Sequence, residues 1–140
     1  EAPQSMWKIN LSYALTAAFF SVMFGGGYRE FSLCFLVGSL THLAQTALLR
    51  LRYPSQLRSF LLGLFTALAS VAGLRLIQGS QEAVITGVIM PLLPGLAMTN
   101  AVRDTMRGDL ISGLARGAEA LFSAVLLSAG VASALLIGGL

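Results

Sequence analysis

The chain has 140 residues, of which 56% are hydrophobic and only 11% are charged. Soluble domains usually carry about 25% charged residues. A soluble fold of this size could not bury so much apolar surface, so the expected solvent is a lipid bilayer. The net charge is +3, and the few arginines form neither a run nor an array with aromatic residues, which argues against nucleic-acid binding. The single cysteine, Cys34, excludes an internal disulfide.

Five stretches have the length of a membrane span, since a bilayer-crossing helix needs roughly 20 mostly apolar residues. They cover residues 9–27, 31–49, 57–77, 83–101 and 110–137. The links between them are short and carry turn or charge signals. We therefore predict an all-α polytopic membrane protein with five transmembrane helices. An N-terminal cytoplasmic or interfacial segment (residues 1–8) precedes one transmembrane domain (residues 9–140).

The distribution of basic residues predicts the orientation, because cytoplasmic links carry the excess of Lys and Arg. With five spans, the N-terminus and the second and fourth links lie on one side, and this side is the richer one. It holds Lys8, Arg50, Arg52, Arg58, Arg103 and Arg107, whereas the other side holds Arg29 and Arg75. The sequence thus predicts that the N-terminus lies in the cytoplasm and the C-terminus outside.

The fourth span contains Pro91 and Pro94 followed by Gly95. Each proline removes a backbone donor and obstructs the carbonyl four residues earlier, so we expect a proline-broken fourth helix. One interpretation is a kink that serves helix packing. The other is a helix that restarts near Gly95 and presents free N–H groups and a positive dipole end to an anionic solute.

Polar residues follow this break at helical spacing. Thr99, Asn100, Arg103 and Asp104 share a face, and Asp104 can also pair with Arg107. A solvated helix end with a local ion pair would explain them. Their position directly after the break favours a role in binding for Asn100 and Arg103.

Opposite charges also occur within the fifth span. Arg116 and Glu119 are spaced i,i+3 and can pair with each other. At about 1.5 Å per residue, Glu119 lies on the order of 14 Å beyond Leu110, which approaches the middle of a roughly 30 Å hydrocarbon core. Charges at this depth are costly and usually face a cavity or a partner. Two interpretations remain: a salt bridge that fixes helix packing, and a role in a transport path.

The start of the fifth span also carries packing signals. Asp109 can cap the helix. Gly113 and Gly117 are four residues apart, and Ala120 and Ala124 continue the row. This small-residue pattern is typical of close helix contacts, either within the chain or between subunits.

The stretch "PLLPGLAMTNAVRDTMRGDLISGLARGAEAL" resembles the signature of the threonine/serine exporter family. The likeness is to its N-terminal membrane half, which also occurs as the larger subunit of a two-component dicarboxylate (succinate) exporter. "AAFFSVMFGGGYREF" is similar to the Gly-rich end of the family's first helix, with Glu30 at the usual acidic position. The signature falls on Pro94, Gly95, Thr99, Asn100, Arg103, Asp104, Gly108, Asp109, Ser112, Gly113 and Arg116.

This resemblance implies partners as well as an activity. Family members usually carry a soluble cytoplasmic domain before the five helices and work with a second five-helix half, fused or separate. Neither lies within these 140 residues, so a second half, a homo-oligomer or both are expected. The resemblance further suggests coupling to the proton gradient.

The sequence therefore predicts an exporter, or an exporter subunit, for small carboxylate-bearing solutes such as threonine, serine or a dicarboxylate. Asp104 and Glu119 are expected to balance charge or carry a proton, and Gly113 and Gly117 to pack helices. The expected substrate-binding residues are Pro94, Gly95, Thr99, Asn100, Arg103 and Arg116. The alternative is a non-transporting assembly subunit whose charges serve packing and partner binding. No catalytic set, nucleotide loop or metal-ligand cluster is recognisable, so neither an enzyme nor a cofactor is predicted.

Overall fold

The computed structural model describes residues 5–138, and all regular structure in this range is helical. Residues 1–4 of the predicted N-terminal segment and residues 139–140 at the end of the predicted membrane domain lie outside the described range. The elements in chain order are α1 (Met6–Met23), α2 (Tyr28–Arg50), α3 (Ser55–Ile77), α4 (Gln81–Ile89), a single 3-10 turn (Met90–Leu92), α5 (Gly95–Met106) and α6 (Leu110–Ile137).

Three of these helices are individually long and apolar enough to cross a membrane: α2, α3 and α6. The bent pair formed by Gln81–Leu92 and Gly95–Met106 is a fourth candidate if it counts as one span. The 18-residue α1 is not among them, because Lys8 and Asn10 lie in its first two turns. The chain is thus an all-α membrane protein with three to four candidate spans in its described part.

The predicted span boundaries agree with the observed helices to different degrees. α6 covers the residues predicted for the fifth span, and α3 ends at the predicted residue. α1 ends four residues before the predicted Gly27, because the chain turns at Gly25, whose φ of +94° is readily adopted only by glycine.

One half of the bundle consists of α1, α2 and α4, which pack around small and β-branched side chains. This core cluster consists of Ala17, Leu33, Cys34, Val37, Val84 and Val88. Small residues predominate because they let helix backbones approach closely in a membrane.

The other half is built on α3 and α6, whose backbones nearly touch. A Cβ on Gly63 would collide with the carbonyl oxygen of Leu127, and Val71 Cγ1 lies 3.0 Å from the position of a Cβ on Gly138. Gly63 of α3 contacts Leu127 of α6, and the later residue Val71 of α3 contacts the later residue Gly138. The two helices therefore run in the same direction. Their register aligns the first residues of α3 with the segment of α6 near Ala120.

Polar side chains inside the bundle bond to one another across helices. The hydroxyls of Thr41 and Thr66 join α2 to α3 at 2.9 Å, and both residues are fully buried. Between α1 and α2, Ser39 Oγ donates to Asn10 Oδ1 at 2.7 Å, and Asn10 Nδ2 lies 3.3 Å from His42 Nδ1. These bonds satisfy polar groups that lipid cannot solvate.

Glu30 joins two turns at one end of the bundle. Its Oε2 accepts from the backbone N–H of Gly27 at 2.9 Å, and its Oε1 accepts from the N–H of Ser80 at 2.8 Å. The turn between α1 and α2 is thereby tied to the link between α3 and α4.

Candidate functional site

The helical path between α4 and α5 is interrupted at the two prolines. The 3-10 turn containing Pro91 ends at Leu92, Leu93 is extended, and Pro94 precedes the first residue of α5. The two helical segments meet at an angle of 52°. No side chain caps α5. The N–H of Gly95 donates to the carbonyl of Leu93 at 2.8 Å, whereas the next two N–H groups lack intrahelical partners at the positive end of the helix dipole.

A cavity of about 240 Å³ lies beside this break, between α5, α6 and the first residue of α3. It combines backbone from the break with an amide, a guanidinium and a carboxylate. Its lining consists of Ser55, Pro94, Ala97, Asn100, Arg116, Glu119, Ala120 and Ser123.

Arg116 forms its ion pair with α5. Its Nε lies 3.3 Å from Asp104 Oδ2, and Ser112 Oγ donates to the same carboxylate oxygen at 2.9 Å. The expected pairing of Arg116 with Glu119 is therefore wrong. The reason is geometric: side chains of a helix lean toward its N-terminus, so Arg116 extends toward the turn that joins α6 to α5, where Asp104 lies.

Glu119 is left in the cavity without a cation. Within residues 5–138, no basic side chain lies within 4.0 Å of its carboxylate, and the residue is exposed. The side chain of Arg116 is 56% exposed, and its ion pair engages only Nε. The cavity thus offers both an available guanidinium end and an available carboxylate.

The depth of these charges differs from the sequence estimate. Because Ser55 and Glu119 line the same cavity, Glu119 is level with the first residue of α3 and not with its middle. The estimate assumed that the membrane begins at Leu110. However, α6 has 28 residues, about 42 Å of helix, which exceeds a core of roughly 30 Å. The charged cavity therefore lies at the end of the bundle where α3 begins.

Comparison with known proteins identifies the family of this arrangement. The family model described as "Putative threonine/serine exporter" matches residues 1–138. The chain belongs to the threonine/serine exporter family. It is 30% identical to the "Probable succinate transporter subunit YjjP" of Escherichia coli (strain K12), over 96% of this chain and 53% of that relative. The chain thus spans about half the length of the curated relative. No solved structure matches the chain.

The residues that resemble the exporter family do not all meet in the cavity. Pro94, Asn100 and Arg116 line it together with Glu119, but the other predicted binding residues do not. The hydroxyl of Thr99 donates to its own helix at Gly95 O, at 2.9 Å. The side chain of Arg103 is exposed, and no acidic group of the described residues lies within 4.0 Å of it.

Asp104 and Asp109 lie on either side of the turn between α5 and α6, Asp104 in the last turn of α5 and Asp109 at the N-cap of α6. Asp104 pairs with Arg116 rather than with Arg107. Asp109 Oδ1 accepts from the N–H of Ser112 at 3.1 Å, which confirms its predicted capping role. Asp104 thus ties α5 to Arg116 on α6, and Asp109 caps the start of α6.

The two glycines of α6 have different surroundings. A Cβ on Gly113 would clash with the Thr105 hydroxyl and would lie 2.9 Å from Ala101 O, so Gly113 packs directly against α5. At Gly117 the nearest atom would be Ala101 Cβ at 3.7 Å, an ordinary contact. The small-residue pattern therefore indicates a tight contact at Gly113 only.

Two polar residues of the cavity, Ser55 and Ser123, were not predicted from the sequence. Ser123 is one helical turn beyond Glu119, so its spacing could have placed it on the same face. Ser55 follows Pro54 at the start of α3, and no signal within its own span connects it to α6. Only the register between α3 and α6 brings it to the cavity.

Proposed function

We propose that this chain forms one membrane half of an exporter for small carboxylate-bearing solutes in a bacterial inner membrane. The observation that carries the proposal is the cavity beside the broken helix, which combines an available guanidinium with the open N-terminus of α5. Broken helices in transporters use such ends to hold anionic groups. Membership of the exporter family supports the same activity.

Arg116 is the proposed carboxylate-binding residue. Guanidinium carries five N–H donors in a planar fork that matches a carboxylate, and the ion pair with Asp104 engages only Nε. Asp104 orients the guanidinium and balances its charge, while Asn100 adds a neutral polar group on the α5 side of the cavity.

Glu119 determines which carboxylate-bearing solute fits. As an unpaired carboxylate one helical turn from Arg116, it is placed to accept the ammonium group of an amino acid whose carboxylate lies on Arg116. A dicarboxylate has no ammonium group and would require Glu119 to be protonated. Glu119 is therefore also the proposed proton carrier, which agrees with the coupling that the family resemblance suggests.

The proposed topology has five spans, with α4, the 3-10 turn and α5 forming the fourth. At 18 residues α1 is about 27 Å long, close to the hydrocarbon thickness. With the N-terminus in the cytoplasm, as the basic residues indicate, the cavity lies at the cytoplasmic end of α3. An exporter must load its solute at this end.

A second protein must cover the outer face of α5 and the start of α6. The large apolar side chains on this face are exposed, including Met106 (83%) and Ile111 (85%). Lipid accommodates these groups, but the exposed charges of Arg103 and Glu119 on the same two helices give this face polar groups that a second protein can bind. The proposed partner is a second five-helix half or another copy of this chain, in line with the description of the curated relative as a transporter subunit.

The test is efflux of L-serine, L-threonine and succinate from vesicles that contain the chain together with its candidate second half. A hydrogen bond to a charged group contributes about 1.5–3 kcal/mol, so Arg116→Gln should lower efflux at least tenfold. Arg116→Lys should restore little, because an ammonium lacks the planar fork. The matched control is Arg107→Gln, an exposed arginine outside the cavity, which should transport normally.

Glu119→Gln separates the two solute classes. If Glu119 holds an ammonium group, this variant loses serine and threonine efflux. If the solute is a dicarboxylate, succinate efflux persists but no longer depends on the proton gradient. Normal, proton-dependent efflux of every solute by both Arg116→Gln and Glu119→Gln would contradict the proposal. Loss of assembly in place of turnover would favour the alternative, a non-transporting subunit whose charges hold a partner.

A further inference from the structure

A second polar cavity adjoins the first one, on the side facing the interior of the bundle. It has a volume of about 120 Å³ and shares Ser55 with the cavity of Arg116. Leu92, the last residue of the 3-10 turn, forms part of its wall, so the two cavities flank the helix break. The lining consists of Gln45, Ser55, Arg58, Ser59, Leu62, Leu92 and Leu127.

The polar groups of this cavity suit an anion. Arg58 is half-buried, and its Nη1 donates to the carbonyl of Tyr53 at 2.9 Å, which fixes the guanidinium and leaves its other N–H groups available. Gln45 is also half-buried and makes no side-chain hydrogen bond to any residue in the described range. Ser59 also lines this cavity, but its hydroxyl donates to the carbonyl of Ser55 at 3.1 Å and is not available to an anion.

The two cavities differ in their negative charge. The first one contains Glu119, whereas the lining of the second contains no acidic side chain. A carboxylate in the second cavity would therefore meet the guanidinium of Arg58 and the amide of Gln45 without opposing charge. Its size accommodates a carboxylate group with little else.

We propose that Gln45 and Arg58 form a second carboxylate-binding subsite, which receives the carboxylate of the solute on the inner side of the helix break. The inference rests on the proposed function, because it assumes that a carboxylate-bearing solute enters the cavity of Arg116. It extends that function by a second binding position beyond Ser55 and Leu92. The carboxylate would move from Arg116 in the first cavity to Arg58 in the second.

This subsite can be tested by introducing thiols and measuring whether the solute protects them from a labelling reagent. Cys34 is the single native cysteine, so Cys34→Ala gives a background without thiols. Ser59→Cys places a thiol in the second cavity, and Ser123→Cys places one in the first. A small methanethiosulfonate reagent is added to inside-out vesicles containing the chain and its second half, with and without L-serine or succinate.

We expect the solute to slow labelling at both positions severalfold. Adding Arg58→Gln should abolish protection at Ser59→Cys and leave protection at Ser123→Cys unchanged. The matched control is Arg52→Gln, an exposed arginine of the same link that lines neither cavity, which should leave both unchanged. If Arg58→Gln does not fold, Gln45→Leu serves the same purpose and should weaken protection at Ser59→Cys alone.

The outcomes separate this inference from the proposed function. Protection at Ser123→Cys alone would overturn the second subsite and leave the first site in place. Protection at Ser59→Cys that persists in the variants with Arg58→Gln or Gln45→Leu would also overturn it. Absence of protection at both positions would contradict the proposed function itself.

Discussion

Replacing Gly130 with alanine tests the close approach of α3 and α6. A Cβ at this position would lie 2.8 Å from Leu64 N and closer still to Phe60 O. Both are backbone atoms of α3 and cannot rotate away, so the helices must separate. The matched control is Gly117→Ala on the same helix, where the added Cβ meets its nearest neighbour at 3.7 Å.

The expected magnitude follows from two terms. Alanine is more favourable than glycine inside a helix by about 0.8–1.0 kcal/mol, and this gain applies at both positions. Overpacking costs about 1–3 kcal/mol and applies only at Gly130. The free energies of unfolding of the two variants should therefore differ by about 1–3 kcal/mol, with Gly130→Ala the less stable.

Reversible unfolding in mixed detergent micelles measures this difference, with helical circular dichroism as the signal. Comparing the two variants with each other removes the propensity term. Equal stability of the two variants, or a more stable Gly130→Ala, would refute the close packing of α3 against α6.

Three further predictions concern polar contacts. Glu30→Ala removes the acceptor of two backbone N–H groups and should lower the free energy of unfolding by about 1 kcal/mol, whereas Glu82→Ala, at an exposed position in the first turn of α4, should not. Thr66→Val leaves the buried hydroxyl of Thr41 without its partner and should cost about 1–3 kcal/mol, most of which the double variant with Thr41→Val should restore. Arg116→Gln should change stability by less than about 1 kcal/mol, because half-exposed ion pairs contribute little; a larger loss in unfolding experiments would indicate a packing role.

Much of the fold could be predicted from apolar run length. The limits of α6 and the end of α3 were correct, since these helices end where charged or turn-forming residues begin. The contact between α3 and α6 could not be predicted, because it depends on Gly63 and Gly130, which stand in separate spans without a recognisable pairing signal. A glycine indicates that a close approach is possible but not which helix approaches.

The residue types of the candidate site could be predicted better than the pairs that these residues form. Spacing placed Arg116 and Glu119 on one face of a helix, and both line one cavity. Spacing within one helix carries no information about the residues of a neighbouring helix, however. It could not indicate that Arg116 pairs with Asp104 on α5. The depth of the site was misjudged for a related reason: hydropathy does not reveal that α6 extends beyond its parallel neighbour α3.

The packing of α5 determines which parts of the chain change when this helix moves. α6 is its principal neighbour, and its two ends are the break at Leu93 and the turn at Gly108, which has a φ of +92°. A displacement of α5 would therefore disturb one helix interface and two short links. The buried hydroxyl pair and the core around Cys34 would keep their contacts. A movement of α5 would therefore change the shape of the charged cavity and leave the packing of the other helices unchanged.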